Sequence, residues 1–160
     1  MTLWRSGTYA LLRAESLSGE VIDLGGRKNA EYHKRLEGAH DSSVANIDPS
    51  HGCDAYADLE KKFPFPDGRF NGALALNILE HIFDYENFLR ESFRILKKSG
   101  RIILAVPFLL QIHPSPRDYW RFSADALQRI LTEAGFKNIR IQSVGTGVFG
   151  ATHQLQYGLY

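Results

Sequence analysis

Three short apolar runs in the first sixty residues each end at a carboxylate. Val21, Ile22, Asp23 and Leu24 lead into Gly25 and Gly26; residues 44–47 end at Asp48; a brief run around 54–57 ends at Asp58, next to Leu59. In an α/β chain such acids are placed for a ligand, because the crevice of a parallel sheet lies outside the carboxyl ends of its strands. Asp23 is the odd member, a carboxylate inside an apolar run that closes on two glycines, where the backbone can turn sharply. Farther along, His81 follows a fourth apolar run, and His113 heads a proline-rich stretch with Asp118, Tyr119 and Arg121. Imidazole is the side chain best suited to moving a proton near neutral pH.

The glycine turn separates two ligand classes. A pyrophosphate wants G-x-G-x-x-G before a helix. Here the residues from Gly25 are Gly-Gly-Arg-Lys-Asn-Ala, and Asp23 would repel a phosphate. It suits a cationic ligand instead. S-adenosylmethionine carries an ammonium and a sulfonium but no phosphate. Asp48 lies 23 residues after Gly25, near the spacing at which an acid reaches a ribose diol. Asp58, beside Leu59, is placed to accept from an adenine amino group. Singly, each acid serves equally well as a turn residue; together they form a cofactor pattern.

The elements that must position these residues alternate. Strands are expected at about 20–24, 44–47, 54–57, 72–77, 101–106 and 138–144. Residues 1–15 suit a flanking helix, and Tyr32, Leu36 and Ala39 a short amphipathic one. Asp84 is a plausible cap for a long helix whose stripe holds Tyr85, Phe88, Leu89 and Leu96, with Lys97 and Lys98 in its last turn and Gly100 as its stop. Ser123 caps another, carrying Leu127, Ile130 and Leu131. This predicts a Rossmann-like, doubly wound α/β domain over residues 1–160: a mostly parallel sheet of six or seven strands with helices on both faces. Its core is residues 20–143, followed by a tail at 144–160. An antiparallel seventh strand has only one weak candidate, 154–160.

Composition bounds the partners. A net charge of +1 argues against a broad nucleic-acid surface. The apolar run 102–110 is too short to span a bilayer and contains Pro107. One cysteine, with no signal-type apolar segment at the N-terminus, makes a cytoplasmic location the expectation. His51, Cys53 and Asp54 are close in sequence, but no second ligand cluster has metal-site spacing, so no metal is expected. His33, His40 and His153 carry no pattern.

The series Val-Ile-Asp-Leu-Gly-Gly, Asn-Ile-Asp-Pro, Asp-Leu, Phe-Pro-Phe-Pro-Asp-Gly-Arg-Phe, Asn-Ile-Leu-Glu-His and Phe-Arg-Ile-Leu-Lys-Lys-Ser-Gly resembles a class I S-adenosylmethionine-dependent methyltransferase of the type 11 domain. The later His113-Pro-Ser-Pro-Arg-Asp118-Tyr-Trp-Arg121-Phe resembles members associated with sugar and polysaccharide biosynthesis. The resemblance covers about residues 20–143. It departs at Gly-Gly-Arg, where the family more often has Gly-x-Gly, and at Asn71 and Ser99. It implies Asp23, Gly25 and Gly26 at the methionine moiety, Asp48 at the ribose, and Asp58 with Leu59 at the adenine. Asn77 and His81 would line the transfer pocket.

The acceptor implied is a small molecule or saccharide. His81 and His113 are the candidate bases for a hydroxyl acceptor. Asp118, Tyr119 and Arg121 are candidates on the acceptor side, although Asp118 and Arg121 could equally brace their loop as an i, i+3 pair. Two other readings stand beside this one. The first is a non-catalytic cofactor-binding or scaffold member. The second is a nicotinamide-dependent oxidoreductase, against which the missing glycines and Asp23 speak.

Overall fold

The computed structural model describes residues 3–13, 15–38, 40–114 and 117–143. The five apolar runs form β1 (Gly19–Leu24), β2 (His40–Asn46), β3 (Ala55–Tyr56), β4 (Phe70–Leu76) and β5 (Leu96–Ala105). All pair in parallel, in the order β3-β2-β1-β4-β5. Chain direction therefore brings every strand's carboxyl end to one edge. The order reverses between β1 and β4, the position at which such sheets open a crevice.

Both faces are covered. Helix α1 (Leu3–Arg13) and a 3-10 turn over Glu31–Arg35 flank one face, where Leu12, Leu17 and Leu36 pack on Val21 and Leu74. The larger core lies on the other face. There Ile22, Leu24, Ala73 and Ala75 meet Phe88, Leu89 and Ile95 of α2 (Tyr85–Ile95) and Leu131 of α3 (Ala124–Glu133). Alternation along β1 thus sends Val21 and Asp23 to one side and Ile22 and Leu24 to the other. Asp84 and Ser123 cap α2 and α3 as expected, accepting from the amides of Asn87 and Ala126. No helix among the described residues is long and apolar enough to cross a membrane.

Three expectations differ. Helix α2 stops at Ile95 rather than near Gly100, because Leu96 is extended and pairs with Phe70 at the start of β4. Lys97 consequently leaves the helix end and donates to Asn71 (2.8 Å). The amphipathic helix expected around Tyr32 is only the 3-10 turn. The described part of the expected sixth strand, 138–143, is irregular. Asn138 enters it with φ 55°, and Ile139 packs on the large core without a ladder partner among the described residues. Extended backbone without a neighbour gains no ladder bonds. The sheet is therefore five-stranded over the described residues. Val144, the tail 144–160 with His153, and the candidate seventh strand lie outside them.

The proline-punctuated loop 61–68 is tied to α2 by a charge cluster. Glu91 accepts from the Phe63 amide (2.8 Å) and pairs with Arg94 (2.7 and 2.9 Å). Arg94 also donates to the carbonyls of Phe63 and Phe65 and to Asp67. The Arg94 guanidinium, helped by the Phe63 amide, holds the Glu91 carboxyl below the usual carboxylate range despite burial. Glu91→Ala should cost about 1–3 kcal/mol, since it removes one carboxylate partner of Arg94 and leaves the Phe63 amide without its acceptor; urea unfolding measures this. A depressed folded pKa means that this support is complete above the unfolded value near ~4.3 and is lost as pH falls through the folded value. The stability gap between wild type and Glu91→Gln should therefore close with acidification below that value and stay constant above it.

Candidate functional site

Asp23 lies in mid-sheet, opposite Val44 on β2 and Leu74 on β4, and is 1% exposed. Burying a carboxylate this deeply requires donors. The 3-10 turn supplies two of them. The Tyr32 hydroxyl donates to Asp23 Oδ2 (2.6 Å), and His33 Nε2 lies 2.7 Å from the same oxygen. Burial and the neighbouring carboxylate push the Tyr32 phenol well above its ordinary range, so it stays a protonated donor. Asp23 Oδ1 is buried and has no hydrogen-bond partner among the described residues.

The carboxylate also dictates the glycines. A Cβ on Gly26 would fall 1.9 Å from Asp23 Oδ2, and Gly25 turns with φ 83° where a Cβ would meet Ile78 at 2.5 Å. The positive φ favours glycine at 25, and a side chain at 26 would force the Asp23 carboxylate to move. The turn is held by Asn46 at the end of β2, whose buried side-chain amide donates to the carbonyls of Gly25 (3.0 Å) and Gly26 (2.7 Å). Asn46 Oδ1 then accepts from the Asp48 amide (2.9 Å). One side chain thus couples the glycine turn to the next strand's acid.

Asp48 caps a 3-10 turn over Pro49–His51 through the Ser50 amide, which holds its carboxyl below the usual range. Its side chain is 51% exposed, so the carboxylate remains open to a ligand. Asp58 accepts from the Glu60 amide (3.0 Å) and pairs with Lys61 (3.1 Å). Burial works to raise its pKa, but these donors outweigh it and hold the carboxyl low. Leu59 beside it is buried. Because β3, β2 and β1 are adjacent and parallel, the three acids stand along one edge. Asn77, at the end of β4, has φ 54°, and its Oδ1 is buried without a partner.

A second group gathers beyond β4 and β5. Glu80 is 0% exposed, and among the described residues neither carboxylate oxygen has a hydrogen-bond partner. Burial pushes its carboxyl up to about 7, against the pull of His113 and Arg121. His81 Nε2 and His113 Nε2 lie 3.7 and 3.8 Å from Glu80 Oε1, and the two rings meet edge-on with centroids 5.0 Å apart. The loop after β5 is folded back onto this turn: the Glu80 carbonyl accepts from Tyr119 (2.8 Å), and the indole of Trp120 donates to Ile82 (3.0 Å).

Asp118 and Arg121 do brace their loop. Arg121 donates to both Asp118 oxygens (2.5 and 2.7 Å) and holds that carboxyl far below its ordinary range. Asp118 also accepts from the His113 amide (2.9 Å). Tyr119 packs edge-on against the exposed Phe83.

Asn46, Tyr32, His33 and Glu80 were not among the sequence candidates. His33 lacked any spacing signal, and an asparagine inside a strand reads as neutral. Asn46→Ala leaves two carbonyls at the glycine turn without their donor and should cost about 1–3 kcal/mol, measured by thermal unfolding. Gly26→Ala should destabilise as well, because its Cβ cannot coexist with the Asp23 rotamer.

Known proteins resemble this chain in sequence and in fold. A probable S-adenosylmethionine-dependent methyltransferase of Mycobacterium tuberculosis is 27% identical over 84 residues, covering 49% of this chain and 31% of its own. An O-methyltransferase of Penicillium expansum is 33% identical over 92 residues, covering 51% of this chain and 33% of its own. The chain spans only about a third of the length of these curated relatives.

Among solved structures, a 1,6-didemethyltoxoflavin-N1-methyltransferase of Burkholderia thailandensis, bound to S-adenosylhomocysteine, superposes with TM-score 0.64 at 19% identity. It covers 93% of this chain and 74% of that one. A possible histamine N-methyltransferase of Thermotoga maritima gives 0.65 at 18%, covering 85% and 72%. At such identities the likeness is one of fold. The family model described as a methyltransferase domain matches residues 2–141, nearly the whole chain, and the chain belongs to that family.

Proposed function

We propose that this domain binds S-adenosylmethionine and transfers its methyl group to a small hydroxylated acceptor. The observation that carries this is the single edge holding Asp23, Asp48 and Asp58 around a glycine turn that cannot accept a Cβ. Three carboxylates beside a Gly-Gly-Arg turn that lacks the G-x-G-x-x-G spacing suit a phosphate poorly. The residues present fit the cofactor's chemistry. Asp23 Oδ1, buried without a partner, suits an ammonium, directly or through water. The half-exposed Asp48 carboxylate suits a ribose diol, and Asp58 with Leu59 suits the adenine. Bound S-adenosylmethionine supplies a methyl group already activated on sulfonium, so the protein's task is alignment and exclusion of water.

The acceptor side is the Glu80, His81 and His113 group, with exposed Phe83 and Tyr119 beside it. A hydroxyl acceptor must lose its proton, and this is the cluster able to assist. An oxygen acceptor is supported by the Penicillium expansum relative, itself named an O-methyltransferase. The sugar-like reading rests on the resemblance of the 113–122 stretch.

Calorimetry of the full chain with S-adenosylmethionine and S-adenosylhomocysteine should detect binding of both, and silence at millimolar ligand would overturn the proposal. Asp48→Ala removes charge-assisted hydrogen bonds worth about 1.5–3 kcal/mol, a loss of roughly tenfold to a hundredfold in cofactor affinity. In a screen of phenols and sugars with methyl-labelled cofactor, His113→Ala should lower turnover by about 10²-fold or more while cofactor affinity holds. The opposite pattern would put His113 on the cofactor side.

A further inference from the structure

Glu80 poses a problem that the methyl-transfer reading leaves open. Its carboxylate is fully buried, and both oxygens lack a hydrogen-bond partner among the described residues. A buried carboxylate without donors costs several kcal/mol, so a compensating cation or proton is required. The nearest side-chain groups are the two imidazoles, but 3.7 and 3.8 Å are too long for hydrogen bonds. Glu80, His81 and His113 each offer one ligand atom, and these atoms lie within 4.8 Å of one another. Ligand atoms sharing a tetrahedral ion, with metal–ligand bonds of 2.0–2.2 Å, stand about 3.4 Å apart. The two imidazole–carboxylate gaps exceed that by a few tenths of an ångström, and the third, between the imidazole nitrogens, is at most 4.8 Å.

The orientation of the rings suits a metal ion. His81 Nδ1 faces the Arg117 carbonyl, an obligate acceptor, and must therefore carry the proton. His113 Nδ1 faces the Gln111 carbonyl and Asp118 Oδ2, each at 3.2 Å, so it too is the protonated nitrogen. In the neutral rings both Nε2 lone pairs are then turned toward the same carboxylate. An imidazole fixed through Nδ1–H by a carbonyl or carboxylate is how proteins set histidine as a metal ligand. Arg121 neutralises Asp118, so the cluster with Glu80 ionised carries one net negative charge and accepts a cation.

We propose that Glu80, His81 and His113 form a binding site for one divalent first-row transition-metal ion such as Zn²⁺. Two imidazoles and one carboxylate favour such ions over Mg²⁺ or Ca²⁺, which prefer all-oxygen shells. Three protein ligands leave a position for water or an acceptor oxygen. An oxygen held there loses its proton more readily; that consequence rests on the methyl-transfer reading, whereas the site itself does not. The ion would make the two histidines ligands rather than bases. Linear spacing concealed the site, because His113 lies more than thirty residues from the Glu80–His81 pair.

The test uses the full chain, freed of metal with a chelator and titrated with Co²⁺ as an optical probe. One equivalent should bind with visible d–d absorption, and Zn²⁺ should displace it. His113→Ala is the deciding variant, since that side chain is one-third exposed on a loop and its loss leaves the core intact. It should abolish the saturable phase. Glu80→Gln, which keeps the side chain's shape, should do the same, and Asp118→Asn should weaken binding about 10- to 100-fold. Absence of saturable Co²⁺ binding, a Co²⁺ spectrum unchanged in His113→Ala, or displacement by equimolar Mg²⁺ would each overturn the proposal. The readout is metal alone, so a failed titration leaves the methyl-transfer reading standing, and an inactive but Co²⁺-binding chain leaves the site standing.

Discussion

The burial of one carboxylate constrains the cofactor edge more than any other interaction. Asp23 stands in the middle of a parallel sheet, where water cannot solvate it. Its cost is met on one oxygen by Tyr32 and His33, which explains why so polar a segment as 27–35 is drawn onto the sheet as a 3-10 turn. The same carboxylate excludes a side chain at position 26. The glycine turn is thus a steric consequence of Asp23 as well as part of the proposed cofactor site. The departure to Gly-Gly-Arg keeps glycine at the place where the acid demands it.

Asn46 extends that constraint to the next strand. By donating to both glycine carbonyls and accepting from the Asp48 amide, it converts two independent strand ends into one rigid unit. Rigidity matters here because binding energy is lost whenever a ligand must order the groups that hold it. The acids beyond, Asp48 and Asp58, already spend part of their hydrogen-bonding capacity on local turns. They come to the edge ordered.

The other half of the site is built by a loop returning across β4. Backbone amides of Tyr119 and Trp120 dock on the Glu80 carbonyl, and the Trp120 ring stacks with Phe83 and abuts Tyr85 and Phe122. The Asp118–Arg121 pair stiffens this loop and orients His113 at the same time. The bracing pair is thus also what aims the His113 imidazole.

Much of this was legible in the residues themselves. Alternating β-branched runs and capped amphipathic stretches specify a parallel α/β sheet, because strand and helix periods are local properties of the chain. The acids at the strand ends were equally visible, since chain direction alone places them on one edge once the strands are parallel. The end of α2 was misjudged because Leu96, apolar and at helical spacing, serves the stripe and the strand equally well; only its pairing with Phe70 settles the matter. His33, Asn46 and Glu80 gave no signal, as their roles depend on what lies across the sheet or loop from them. Residue types and order determined the architecture and the row of strand-end acids proposed to hold the cofactor. Only the tertiary structure decided which buried polar atoms lack partners, and that is a property of packing rather than of sequence.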